Sequence, residues 1–272
     1  MPVAATNGTE LSYVESGAGP QTVVFSHGLL MNQQMFDAQR HALEPSYRVI
    51  GYDHRGQGDS APAAPYDMDT LTEDAAGLIQ ATQAGPCHFV GLSMGGFVGL
   101  RLAARYPELL RSLTLLNTSA SPEPWGKRLR YRAMQAVVSL FGPGPVIGQV
   151  LPVMFGRSFL ADSARADVRE RWVHHVRSLP RRIVGPVGGV IARDSVVGEL
   201  KYIRCPTLVV TADEDQTTPP AEAERIARLV TGARLLRLPA CGHTSAVEAP
   251  AAVNQALLDF YAEIDGKAGG SR

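Results

Sequence analysis

Gly91-Leu92-Ser93-Met94-Gly95, with Gly96 directly after it, is the stretch on which the reading of this chain turns. A G-x-S-x-G run sets its serine on a strained turn between a strand and a helix, where small neighbours allow tight backbone approach. Five residues are a short pattern, so its weight comes from its flanks. Cys87-His-Phe-Val-Gly91 reads as a strand, and residues 94–105 read as a helix ended by Tyr106-Pro107. The start of that helix lies beside Ser93, where its aligned N–H groups favour a developing negative charge.

Working outward, the same alternation repeats. Residues 21–26 and 47–52 are short β-branched and aromatic runs separated by a helical stretch at 33–43, and a second helical stretch at 70–82 leads into the strand before Ser93. Residues 9–15 alternate loosely until Gly17 to Pro20 break the pattern, which suggests a hairpin strand at a sheet edge. Residues 110–116 supply a further strand. Apolar runs without strict alternation, separated by helices, indicate parallel strands buried on both faces, and right-handed crossovers wind these into an open sheet.

The rhythm stops between residues 119 and 200, where Pro/Gly clusters such as Phe141-Gly-Pro-Gly-Pro145 alternate with arginine-rich amphipathic stretches such as 164–179. It resumes with a strand at 207–211, a helix at 221–229, a strand at 233–238 and a last helix at 249–264. The expected architecture is therefore α/β: a core of residues 1–118 and 201–265, a helical cap inserted at 119–200, and a flexible tail at 266–272.

Composition agrees with a globular chain: of 272 residues, 45% are hydrophobic and 19% charged, with 27 Gly and 19 Pro marking many turns. Lys plus Arg equals Asp plus Glu at 26 each, so no net field draws the chain to nucleic acid or to an anionic membrane. The expected partner is a small, roughly neutral molecule. No basic-then-apolar leader and no run near the ~18 apolar residues of a membrane span is present, which makes cytoplasmic residence the expectation. Cys87, Cys205 and Cys241 are far apart and lack C-x-x-C spacing, and read as reduced, buried small hydrophobes; no metal or other cofactor is expected.

A serine hydroxyl is a weak nucleophile until a base takes its proton, so the next question is which of seven histidines reaches Ser93. His243, in Ala240-Cys-Gly-His-Thr244, follows a strand and precedes the final helix, which places it with Ser93 at the carboxyl end of the sheet. His27 lies in the first such loop, but Gly28 and Leu29 beside it suggest the turn of an oxyanion donor. His41, His54 and His88 read as surface or packing residues, and His174-His175 as part of a solvated helix, their side chains pointing to different faces. The imidazole also needs a carboxylate to hold its tautomer. The loop after the strand at 207–211 offers Asp213, Glu214 and Asp215 in a row, and periodicity does not choose among them.

Taken together, these segments resemble the α/β-hydrolase superfamily over nearly the whole chain apart from the insertion. Ser26-His-Gly-Leu29 is similar to its oxyanion loop and Tyr52-Asp-His-Arg-Gly-Gln-Gly-Asp-Ser60 to its D-x-R-G-x-G-x-S turn. Gly91 to Gly96 are similar to its nucleophile elbow, Asp213 to Pro219 to its acid loop, and Gly242-His243 to its base loop. In the family pattern G-x-x-D-x-x-x-P the acid stands four before the proline, which selects Asp215. Ala212 stands where the family usually has Gly, which keeps Asp213 as a lesser alternative. The order Ser93, Asp215, His243 is the one this fold uses. The resemblance assigns the oxyanion hole to the backbone N–H groups of Leu29 and Met94. Gly56 and Gly58 mark a tight turn, so Asp53 and Arg55 are expected to brace the loop beside the elbow rather than to act chemically.

Within the superfamily the chain looks most similar to the 3-oxoadipate enol-lactonase and small carboxylesterase branch, through residues 91–96, Ala192-Arg-Asp-Ser-Val-Val197 and Thr217-Thr-Pro-Pro220. That implies an esterase or lactonase: Ser93 attacks the carbonyl of a small ester or lactone, His243 takes its proton, and water releases the acyl-enzyme. Arg130, Arg157 or Arg193 could pair with a substrate carboxylate. Cofactor-free perhydrolysis (haloperoxidase activity) and carbon–carbon bond hydrolysis use the same triad and are alternatives. A ligand receptor on this fold is the non-enzyme alternative, against which an intact triad argues.

Overall fold

The computed structural model describes residues 1–269. Its strands are β1 (Val3–Thr6), β2 (Thr9–Ser16), β3 (Thr22–Ser26), β4 (Arg48–Tyr52), β5 (Cys87–Leu92), β6 (Leu110–Leu116), β7 (Thr207–Ala212) and β8 (Arg234–Leu238). They form one sheet in the order β1-β2-β4-β3-β5-β6-β7-β8. β1 and β2 pair antiparallel, as do β2 and β4; every other pairing is parallel. β3 is the strand at which the winding reverses, since β4 lies on one side of it and β5 on the other. Open parallel sheets hold their sites at the carboxyl ends of the strands beside such a reversal.

Helices flank this sheet: α1 (Asp37–Leu43), α2 (Met68–Ala81) and α3 (Met94–Arg105) come before β6, and α9 (Pro220–Leu229), α10 (Ser245–Glu248) and α11 (Pro250–Gly269) follow β7. β3, β5 and β7 are buried at every position, which explains their apolar runs without alternation. One hydrophobic cluster, including Leu71, Phe89 and Leu102, fills one face of the sheet; another, including Phe25, Leu116 and Tyr261, fills the other. Between β6 and β7 the chain forms α4 (Trp125–Phe141), α5 (Ile147–Met154), α6 (Arg157–Ala161), α7 (Ala166–Ser178) and α8 (Val184–Ala192). Among the described residues no helix is long and apolar enough to cross a membrane.

Three sequence expectations need correction. β2 is not at the edge: β1 takes that place, joined to β2 by Asn7-Gly8, both at positive φ (43° and 70°) as a two-residue hairpin turn demands. The final helical region is two helices, because Ala249 leaves helical geometry (φ −133°, ψ 53°) just before Pro250. The last helix also continues to Gly269, past residue 266 where a flexible tail was expected; residues 270–272 of that tail lie outside the described residues.

Candidate active site

Ser93 sits between β5 and α3 with φ 51° and ψ −109°, a conformation that L-residues rarely adopt. The surrounding glycines make it possible. A Cβ on Gly95 would overlap the Ser26 carbonyl, one on Gly91 the Gly95 carbonyl, and one on Gly96 the Thr118 side chain. Ser93 is locked from both sides: its N–H donates to Leu116 O at 2.9 Å, and its carbonyl accepts Thr118 Oγ1 at 2.8 Å and Phe97 N at 3.0 Å. The spacing of the motif is thus the spacing of these close approaches.

His243 Nε2 lies 2.9 Å from Ser93 Oγ, and His243 Nδ1 lies 2.9 and 3.0 Å from the two Asp215 oxygens. All three residues are buried. The Asp215 carboxylate accepts the N–H groups of Thr217 and Thr218 at 2.8 and 2.9 Å, Asn117 Nδ2 at 2.9 Å and Thr218 Oγ1 at 2.9 Å. Burial works to raise its pKa, but the charge and hydrogen bond of His243, with the donors from Asn117 and Thr218, outweigh it and leave the carboxyl below its usual range. An ionised acid fixed on Nδ1 leaves Nε2 as the acceptor for the serine proton.

The three consecutive acids, which the sequence leaves unranked before the family pattern is applied, have three different partners. Asp213, the lesser alternative, points outward and pairs with Arg237. Glu214 accepts Ser158 N at 2.8 Å, Ser158 Oγ at 2.7 Å and Arg157 Nε at 3.1 Å, tying the loop to α6. Of the three, Asp215 is the one on His243.

Leu29 lies in the wall of the cavity in front of Ser93, in the turn after β3. The N–H groups on either side of it are engaged, that of Gly28 by Met35 Sδ at 3.4 Å and that of Leu30 by Gln57 Oε1 at 3.2 Å. Met94 opens α3 directly after Ser93. His27 and His54 lie beneath this turn, fully buried: His54 N donates to His27 Nε2 at 3.0 Å, and burial lowers both imidazole pKa values, so both are neutral packing groups. Asp53 and Arg55 brace the loop: Asp53 accepts the N–H groups of Gln33 (2.8 Å) and Asp59 (2.9 Å), and Arg55 pairs with Asp74.

Several contributors escaped the sequence reading. Asn117 joins Asp215 to the base loop, donating also to Gly242 O at 3.2 Å; it stands at positive φ (48°) at the end of β6, a position that could have marked it. Glu248 accepts the N–H groups of Gly156, Gly242 and Thr244, each at 2.9 Å, and so holds both neighbours of His243. Burial pushes its pKa up against the pull of those three donors. His175 corrects the expectation of a solvated pair: His174 is exposed, but His175 is partly buried against Trp172 and Leu30, and burial lowers its pKa. Of the candidate arginines, Arg130 and Arg157 are exposed, whereas Arg193 is buried at the cavity.

The cavity holds about 150 Å³ and runs from Ser93 and His243 under the inner faces of α4 and α8, where Met134, Val138, Val187 and Ile191 make its lining largely apolar.

The model of the alpha/beta hydrolase family matches residues 23–256. The chain belongs to this family. A curated relative from Caulobacter sp. (strain K31), named as a candidate carbamate hydrolase, RutD, is 32% identical over 257 residues, covering 91% of this chain and 94% of its own. Among solved structures, a thermophilic esterase from Thermogutta terrifontis is similar with a TM-score of 0.87 at 30% identity, covering 96% of this chain and 97% of that one. The enol-lactonase from Burkholderia xenovorans LB400 is similar with a TM-score of 0.86 at 30% identity, covering 96% and 99%. Membership of the α/β hydrolases thus joins a largely apolar cavity to hydrolase relatives whose named substrates differ.

Proposed function

We propose that the protein is a serine hydrolase that cleaves a small carboxylic ester or lactone through an acyl-enzyme on Ser93. The observation that carries this is the unbroken chain Ser93 Oγ, His243, Asp215, with every link at 2.9–3.0 Å. His243 Nε2 takes the serine proton as Oγ attacks the carbonyl, Asp215 holds the imidazolium that forms, and the N–H groups of Leu29 and Met94 receive the oxyanion. Collapse of the tetrahedral intermediate passes the proton from His243 to the leaving alkoxide; in a lactone that alkoxide stays attached to the acyl chain. Water then repeats the sequence and frees Ser93. Residues 119–200 serve as the cap that closes the pocket and sets substrate size. The partner is a small molecule, and the chemistry calls on no cofactor.

Carbamate cleavage is a second reading, favoured by the RutD relative, and passes through the same attack and the same oxyanion. The test is turnover of p-nitrophenyl acetate by the wild type and by Ser93→Ala, with labelling by a fluorophosphonate located by mass spectrometry. Loss of turnover and of label at Ser93 in a folded variant is expected; unchanged turnover would sink the assignment. Comparison of a matched ester and carbamate separates the two readings.

A further inference from the structure

Glu123 and Arg193 form an ion pair in the wall of the cavity, with Arg193 Nη1 2.6 Å from Glu123 Oε2 and side chains only 5% and 6% exposed for Arg193 and Glu123. Arg193 has further partners through Nε, Nη1 and the face of its guanidinium. Its Nε donates to Ser121 O at 3.1 Å, its Nη1 also reaches Val190 O at 3.0 Å, and its guanidinium lies 4.3 Å from the centre of the Phe97 ring. Phe97 is one helical turn beyond Ser93, so the pair stands a short distance from the nucleophile. Glu123 Oε1 is buried and accepts no hydrogen bond among the described residues. The other ionisable residues in the lining are Tyr131 and His243, so the one guanidinium of that lining is already matched by a carboxylate.

From this we infer that the cavity selects an uncharged, apolar acyl or lactone chain, and that Glu123 sets this preference by cancelling the charge with which Arg193 would otherwise recruit a carboxylate-bearing substrate. The inference rests on the ester-hydrolase reading of the site and deepens it. A terminal carboxylate entering here would shed its water among Met, Val and Ile side chains, gain no net positive charge, and lie near the carboxylate of Glu123 in the cavity wall. A repulsive group of this kind discriminates as strongly as an attractive one. An exclusively structural pair, joining the chain after β6 to the end of α8, would hold the fold without governing which chain end is accepted.

The test compares p-nitrophenyl heptanoate with p-nitrophenyl adipate, whose chain ends in a carboxylate, on the wild type, Glu123→Gln, and the double variant Glu123→Leu with Arg193→Met. In the wild type, kcat/KM for the heptanoate is expected to exceed that for the adipate by at least about tenfold. Glu123→Gln leaves Arg193 uncompensated, so adipate turnover rises and the ratio falls by about tenfold, while the double variant, lacking the guanidinium, shows no such rise. Equal or better adipate turnover by the wild type overturns the inference, as does an unchanged ratio in folded Glu123→Gln. The wild-type comparison decides even where a variant does not fold. If the wild type hydrolyses neither of these esters nor p-nitrophenyl acetate, the ester reading fails. Whenever the two longer esters are not turned over, with or without turnover of the acetate, calorimetry of hexanamide against adipic acid monoamide on Ser93→Ala decides the inference by itself, with tighter binding of the neutral ligand expected and equal or tighter binding of the anion overturning it.

Discussion

Glu248 accepts the N–H of Gly242 at 2.9 Å and so fixes the backbone immediately before His243. The same carboxylate holds Thr244 after it and Gly156 at the start of α6. Removing the side chain leaves three buried donors unpaired, at about 1–3 kcal/mol each. Glu248→Ala is therefore expected to lower Tm sharply and to reduce kcat by loosening the His243 loop. Glu248→Gln, which keeps one acceptor oxygen, should fall between it and the wild type. Thermal melts and steady-state kinetics on the three proteins check this order.

Asp215→Asn should reduce kcat by a factor on the order of 10⁴, because an amide at this place no longer favours the tautomer that leaves Nε2 free. Asp213→Asn breaks only the outward pair with Arg237, and kcat should be unchanged. A comparable loss from both substitutions would contradict the division of labour in this loop.

The two buried carboxylates around His243 titrate with opposite sign. The folded pKa of Asp215 is lowered, so its contribution to stability is present above the unfolded value and is lost as pH falls through the folded one. The folded pKa of Glu248 is raised, so its contribution is present below the unfolded value and is lost as pH rises through the folded one. Acidification from neutrality should therefore first widen the wild type's Tm advantage over Glu248→Gln. Below about pH 4 it should shrink the advantage over Asp215→Asn. Melting curves across pH give both signs.

Glycine substitutions should separate the turn at Ser93 from ordinary helix. Gly95→Ala forces a methyl into the Ser26 carbonyl and should cost on the order of 1–3 kcal/mol together with activity. Gly126→Ala, in α4 with open space around it, should stabilise by about 0.5–1 kcal/mol. Chemical denaturation of the two variants tests the contrast.

The parts of the site that the sequence reveals are those whose geometry is local. Gly91 is dictated by a turn that closes on Gly95 within a few residues of Ser93. Gly95 and Gly96 fall in the same short pattern although they make room for Ser26 and Thr118, and the bounds of α3 and β6 follow from the sequence alone. Asn117 and Glu248 were missed because their work depends on approach across the fold: Asn117 meets Asp215 from 98 residues away, and Glu248 meets Gly156 from 92. The choice among Asp213, Glu214 and Asp215 is of the same kind, since each is assigned by what the sheet and α6 bring against it. β1 is of a different kind: Asn7-Gly8 is a local hairpin signal, legible in the sequence itself.

Ser93 and His243 touch across 150 residues of chain, over strands laid down before and after α4 to α8. In a growing polypeptide Ser93 emerges early, while His243, the group that the proposed mechanism uses to make it reactive, has not yet been synthesised. Under the proposed mechanism the nucleophile would stay chemically silent until the final strands have joined the sheet, so a truncated or half-assembled chain would carry an inert hydroxyl rather than an unguarded one.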